Sequence, residues 1–159
     1  MQSILAAHAE SANRKVICLS YKDERSAIGK SSEDMALGRT QKMVGCNSAE
    51  LDKCSPGDIV IITAQAPRGG RMFHVGILKK KSDECLTWMD HGGEIWKHNW
   101  EYDPVTATMD VKECVTALKE AGVPASDASN LFNMRFCHGP KYIPHVARAF
   151  REGIFTVST

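Results

Sequence analysis

The sequence predicts an α+β fold, a small mixed and partly closed β-barrel with helices on its flanks, built from residues 1–159 as one domain. Three observations carry this expectation. Short β-rich runs separated by glycine turns fill the middle of the chain, from Ile59 to Met109. One of them, Ile59-Val60-Ile61-Ile62-Thr63, has no polar alternation, the pattern of a strand buried on both faces. The last third changes to helical signals, with Asp110 placed as an N-cap before VKECVTALKEAG.

The elements follow in order. The first residues read as a short helix with Ile4, Leu5 and Ala12 on one face, and Lys15–Ser20 as the first strand. Residues 21–45 are polar, with a helix expected over Ser32–Leu37 capped by Ser31 or Ser32. Pro56-Gly57-Asp58 is a turn, because proline presets φ and glycine accepts positive φ. It leads into the Ile59 strand. Gly69-Gly70 tips the next loop, and Met72–Lys79 forms a strand in which Phe73, Val75 and Ile77 alternate with His74, Gly76 and Leu78. A turn over Lys79–Asp83 precedes strands over Glu84–Met89, Glu94–Tyr102 and Val105–Met109. After the Asp110 helix, stopped at Gly122, come a strand over Phe132–Cys137 and a helix over Pro140–Arg151. Pro144 is either internal to that helix or the mark of its true first turn, and a last strand over Gly153–Ser158 closes the sheet.

Composition restricts function. With 159 residues and 43% apolar content the chain can bury a core. A net charge of +1 gives no bulk attraction to nucleic acid or to an anionic membrane, so affinity of that kind needs a local patch. No run approaches the roughly 20 apolar residues that span a bilayer. The six cysteines are not densely spaced and follow no secretory signal, which reads as thiols in a reducing cytosol and a cytoplasmic protein.

Two constellations stand out. Trp88, Trp96 and Trp100 are all the tryptophans of the chain, and on one strand Trp96, His98 and Trp100 share a face. Such side chains stack on bases or fill a core. Near them lie Arg71 and the run Lys79, Lys80 and Lys81, with Arg68, Lys97, Arg135, Lys141, Arg148 and Arg151 elsewhere. A lysine run on a turn is either a solvated tip or a set of phosphate contacts. The candidate ligand-binding set is therefore Trp88, Trp96, Trp100, His98, Arg71, Lys79, Lys80 and Lys81. The six histidines and six cysteines show no C-x-x-C or H-x-x-x-H, and Cys137-His138 and the pair His91 and His98 lack zinc spacing. No metal or other cofactor is expected. Cys18 or Cys46 with His74 or His91 offers a Cys–His pair in principle, but cysteines in apolar runs are more often inert core.

Two family resemblances arise at PGDIVIITAQAPRGGRMFHVGILKK. In the first, the strand RKVICLS, the Gly57-Asp58 strand, the strand ending at Leu78, WKHNWEYDPV and a helical finish resemble the PUA-like superfamily, in particular EVE and ASCH domains. That resemblance implies a small mixed barrel whose aromatic pocket recognises nucleic acid, including a modified base, without catalysis. In the second, Pro56-Gly57-Asp58 followed by His74-Val75-Gly76-Ile77 resembles NlpC/P60-type cysteine peptidases, which implies His74 as general base. The Asp-Cys nucleophile motif of that family is absent, so the hydrolase ranks second. A protein-binding module that blocks a partner is a third reading.

Overall fold

The computed structural model describes residues 2–11, 13–21, 42–46, 49–65, 69–83, 86–88, 94–133 and 139–158. Strands Val16–Tyr21 (β1) and Ile59–Gln65 (β3) pair in parallel. Arg71–Ser82 (β4), His98–Pro104 (β7) and Met43–Cys46 (β2) follow as antiparallel neighbours, giving the order β1-β3-β4-β7-β2. Leu86–Trp88 (β5) and Glu94–Trp96 (β6) form a separate two-stranded ribbon, and Met109–Asp110 (β8) pairs with the start of β4. The path is open: among the described residues β1 and β2 stand at its two ends and do not pair with each other. The α+β class therefore holds, while the expected barrel closure is absent from the described strands.

The Ile59 run is internal, between β1 and β4, and it is buried on both faces as its composition requires. Ile59 and Ile61 join one core with Val16, Cys18, Phe73 and Val75. Val60 and Ile62 join a second with Ile17, Leu19, Leu78, Trp100 and Tyr102. The first core is covered by helices: Gln2–Glu10 (α1), Val111–Glu120 (α2), Ala125–Asn130 (α3) and Ile143–Arg151 (α4). The second is covered by Leu51 of the 3-10 helix Ala49–Lys53 and by β7 and β2. Residues of β1 and of β2 both belong to that second core, although three strands lie between them in the sheet.

A β-bulge interrupts the pairing of β4 with β7 between Leu78 and Lys80. Its extra residue, Lys79, shifts the side-chain parity, so Lys80 stands opposite Glu101 while Lys81 stands opposite Trp100 on the face of the second core.

Several expected elements differ in extent. In α1 the buried residues are Leu5, Ala6 and Ala9, which meet α4, and Ile4 is 66% exposed rather than inward. The strand expected over Glu94–Tyr102 is split at Lys97 into β6 and β7, which belong to different sheets. The fifth strand shrinks to β8 plus a bridge between Thr106 and Val157, and the latter is all that remains of the closing strand. Phe132 and Asn133 lie in a turn, and the rest of the strand expected there lies outside the described residues, as does the Ser32–Leu37 helix. The helix signals hold. Asp110 Oδ1 accepts the Glu113 amide at 2.9 Å, Gly122 follows α2 at φ +97°, and Pro144 sits in the first turn of α4. Among the described residues no helix is long and apolar enough to cross a membrane.

Candidate functional site

The lysine run is the exposed end of β4. Lys81 Nζ lies 3.1 Å from Asp52 Oδ1, and His98 Nδ1 lies 2.8 Å from Asp52 Oδ2. Asp52 comes from the 3-10 helix, so a single carboxylate ties that helix to both β4 and β7. Partial burial raises the carboxyl's proton affinity, but the bonds and charges of Lys81 and His98 outweigh it and hold Asp52 below the ordinary aspartate value. Beneath this clasp Trp100 is 3% exposed, and its Nε1 donates to the Leu51 carbonyl at 3.0 Å. Trp100 is therefore core, with its polar edge satisfied, and not an open stacking surface.

The other two tryptophans are arranged differently. Leu86 pairs with Trp96 and Trp88 with Glu94, so the Trp88 and Trp96 positions fall on one face of the ribbon. The expected stripe of Trp96, His98 and Trp100 does not form, because the break at Lys97 sends His98 and Trp100 into the main sheet. The side chains of Trp88 and Trp96 lie outside what the structure describes.

The basic set is likewise divided. Lys79 Nζ is 3.4 Å from Asp103, Lys80 opposes Glu101, and Lys80, Lys81 and Glu101 line a cavity of about 220 Å³ with Asp83. The surface is thus mixed in sign. Arg71 starts β4 and is about 26–33 Å along the strand from the lysines at the ordinary rise per residue. Its guanidinium donates to Asn133 Oδ1, to the Phe132 carbonyl and to Thr63 Oγ1 at 2.9 Å, so it pins the turn after α3 to the sheet. Arg71 does not belong with Lys79–Lys81. Arg148 donates to the Ala121 carbonyl at 2.7 Å and Arg151 pairs with Glu10, both on the helical layer. Arg68 and Arg135 lie outside the described residues.

His74 is fully buried on the face of the second core, and its Nε2 shares a hydrogen bond of 2.8 Å with the Tyr102 hydroxyl. Gly76 makes this possible: a Cβ there would stand 2.4 Å from Tyr102 Cδ2. Cys18 belongs to the first core, on the opposite face of the sheet, so Cys18 and His74 cannot form a nucleophile–base pair. Cys54 and Cys114 are also buried thiols, and burial pushes Cys114 up to about 12. The Cys46 side chain, Cys137-His138 and His91 lie outside the described residues. Among the described residues no group of three or more His, Cys, Asp or Glu is placed to hold a metal ion.

Asp52 is the site residue that the sequence reading passed over. Its partners are distant in the chain, and no local spacing signals them. Compared with known proteins, the chain matches no family model and no curated protein sequence.

Proposed function

We propose that the chain is a nucleic-acid recognition module of the PUA-like kind, binding without catalysis through the β5–β6 ribbon and the lysines that flank it. The observation that supports this most is the ribbon register. It gives Trp88 and Trp96 one common face on a two-stranded element outside the main sheet. Exposed Lys81, near the end of β4, precedes the ribbon in the chain, and exposed Lys97 follows it. Diagonal positions on an antiparallel pair are close enough for large rings to form one stacking platform. Each stacked base contributes about 1–3 kcal/mol.

The ion pairs Lys79–Asp103 and Lys81–Asp52 do not oppose this reading. Their lysines are at least half exposed, and exposed pairs contribute at most about 1 kcal/mol, so a phosphate can replace the carboxylate. Contacts from Lys79, Lys80, Lys81 and Lys97 would give single strands a salt slope near −3, from about −0.7 per phosphate.

The test is a fluorescence-anisotropy titration with labelled single-stranded, duplex and modified-base oligonucleotides at several salt concentrations. Trp88→Ala and Trp96→Ala should each weaken binding about tenfold or more. Replacing Lys79–Lys81 with glutamine should flatten the salt slope. Absence of binding to every oligonucleotide at low salt refutes the reading and favours a partner-blocking protein module, which the mixed-sign surface also suits.

A further inference from the structure

A cavity of about 400 Å³ opens where the α1–β1 corner meets the start of α4. Its lining has two sides. Glu10, Ser11, Asn13, Arg14 and Lys15 form a polar side that carries two cations and one carboxylate, and Pro140, Ile143 and Pro144 form an apolar one.

The cations are fixed in place. Arg14 Nε donates to Ser11 Oγ at 3.1 Å and Nη1 to the Pro56 carbonyl at 3.1 Å. The guanidinium also packs over Gly57, where a Cβ would fall 2.0 Å from Nη1. Lys15 Nζ donates to the Lys53 carbonyl at 2.9 Å. Every one of these acceptors is neutral, so the bonds orient both cations without cancelling their charge. Of the carboxylates here, Glu10 lines the cavity but is turned to Arg151, a third cation at its edge, and buried Asp58 accepts the backbone amides of Lys15 and Ser55. A guanidinium carries five N–H donors in a planar fork, and these contacts leave several for an anion.

We propose that this cavity binds a nucleoside monophosphate, with the phosphate on Arg14 and Lys15 and the base against Pro140, Ile143 and Pro144. Two pre-oriented cations bonded only to neutral acceptors, with the cavity's one carboxylate paired to Arg151, favour an anion, and guanidinium geometry suits phosphate oxygens. The apolar side selects an anion that carries a ring, over a bare ion. The volume lies within the usual range of small-ligand sites. This site is independent of the ribbon and stands whether or not the ribbon binds nucleic acid.

The experiment follows backbone amides of the isotope-labelled protein by NMR while adenosine monophosphate or inorganic phosphate is added. The nucleotide should shift Ser11, Asn13, Lys15, Lys141 and Ile143 in a saturable way. Inorganic phosphate should shift the basic side only, at about tenfold higher concentration. Lys15→Gln and Arg14→Gln should each weaken nucleotide binding about tenfold. Arg14 also braces the Pro56-Gly57 turn, so Lys15→Gln and the wild-type shift map carry the test if Arg14→Gln fails to fold. The Trp88→Phe/Trp96→Phe variant should bind the nucleotide like wild type, which separates this site from the ribbon. Equal affinity for both anions overturns the proposal. So do the absence of shifts at these amides at millimolar nucleotide and shifts centred on Lys79–Lys81.

Discussion

Replacing Gly76 with alanine tests how the second core is assembled. The new Cβ would stand 2.4 Å and 2.8 Å from Tyr102 Cδ2 and Cε2, and 2.9 Å from the Asp103 carbonyl oxygen. The carbonyl belongs to the neighbouring strand, so the ring must yield. Overpacking of this kind costs about 1–3 kcal/mol. Displacing the ring also separates its hydroxyl from His74 Nε2, now at 2.8 Å, and a buried polar group that loses its partner costs about 1–3 kcal/mol. Gly76→Ala should therefore destabilise by about 2–6 kcal/mol. Tyr102→Phe keeps the ring and removes the hydroxyl that bonds His74, so it should cost about 1–3 kcal/mol. Urea denaturation of the two single variants and the double variant decides the matter. Because both changes break the same bond, the double variant should lose less than the summed single losses. A Gly76→Ala loss below about 0.5 kcal/mol, or strict additivity with Tyr102→Phe, would refute the reasoning.

Three further outcomes are expected. Ile61→Asp places a carboxylate in the first core at a position with no exposure, should cost several kcal/mol, and should abolish the cooperative thermal transition; an unchanged Tm contradicts the central placement of β3. Asp52 is held below its ordinary value when folded, so its clasp stabilises the protein above about pH 4 and is lost as pH falls through the folded pKa. Asp52→Asn should accordingly lower stability at pH 7, by an amount that shrinks as the pH falls below about 4, as read by denaturation across that range. All six cysteines should be counted as thiols in the unfolded, non-reduced chain, and in the folded protein Cys114 should react slowly with iodoacetamide because burial pushes it up to about 12.

The parts of the fold written in local periodicity were legible in the sequence. The four consecutive β-branched residues at Ile59–Ile62 indicated a strand covered on both faces, and the Asp110 cap indicated where one helix begins, while of the two starts open for the last helix the structure takes the one at Pro144. What the sequence left obscure depends on pairing between distant segments. WKHNW reads as one alternating strand, and only the sheet assignments show that Lys97 divides it and parts Trp96 from Trp100. The bulge at Lys79 inverts the parity of the lysine run, which no residue pattern announces. The candidate site was legible only in pieces. Lys81 and His98 do converge, but on Asp52; Trp100 is packed beneath them, and Arg71 serves the other end of the strand. His74-Val75-Gly76-Ile77 resembles a catalytic element, yet its histidine and glycine are used to seat Tyr102.

The proposed interface rests on Trp88 and Trp96 acting as one stacking face while Trp100 stays in the core. The most direct test is a titration of the protein with single-stranded oligonucleotide, read by intrinsic tryptophan emission, alongside the Trp88→Phe/Trp96→Phe variant that retains only Trp100. The account predicts saturable, salt-sensitive quenching in the wild type and none in the variant. No quenching in the wild type, or quenching that persists in the variant, would contradict it.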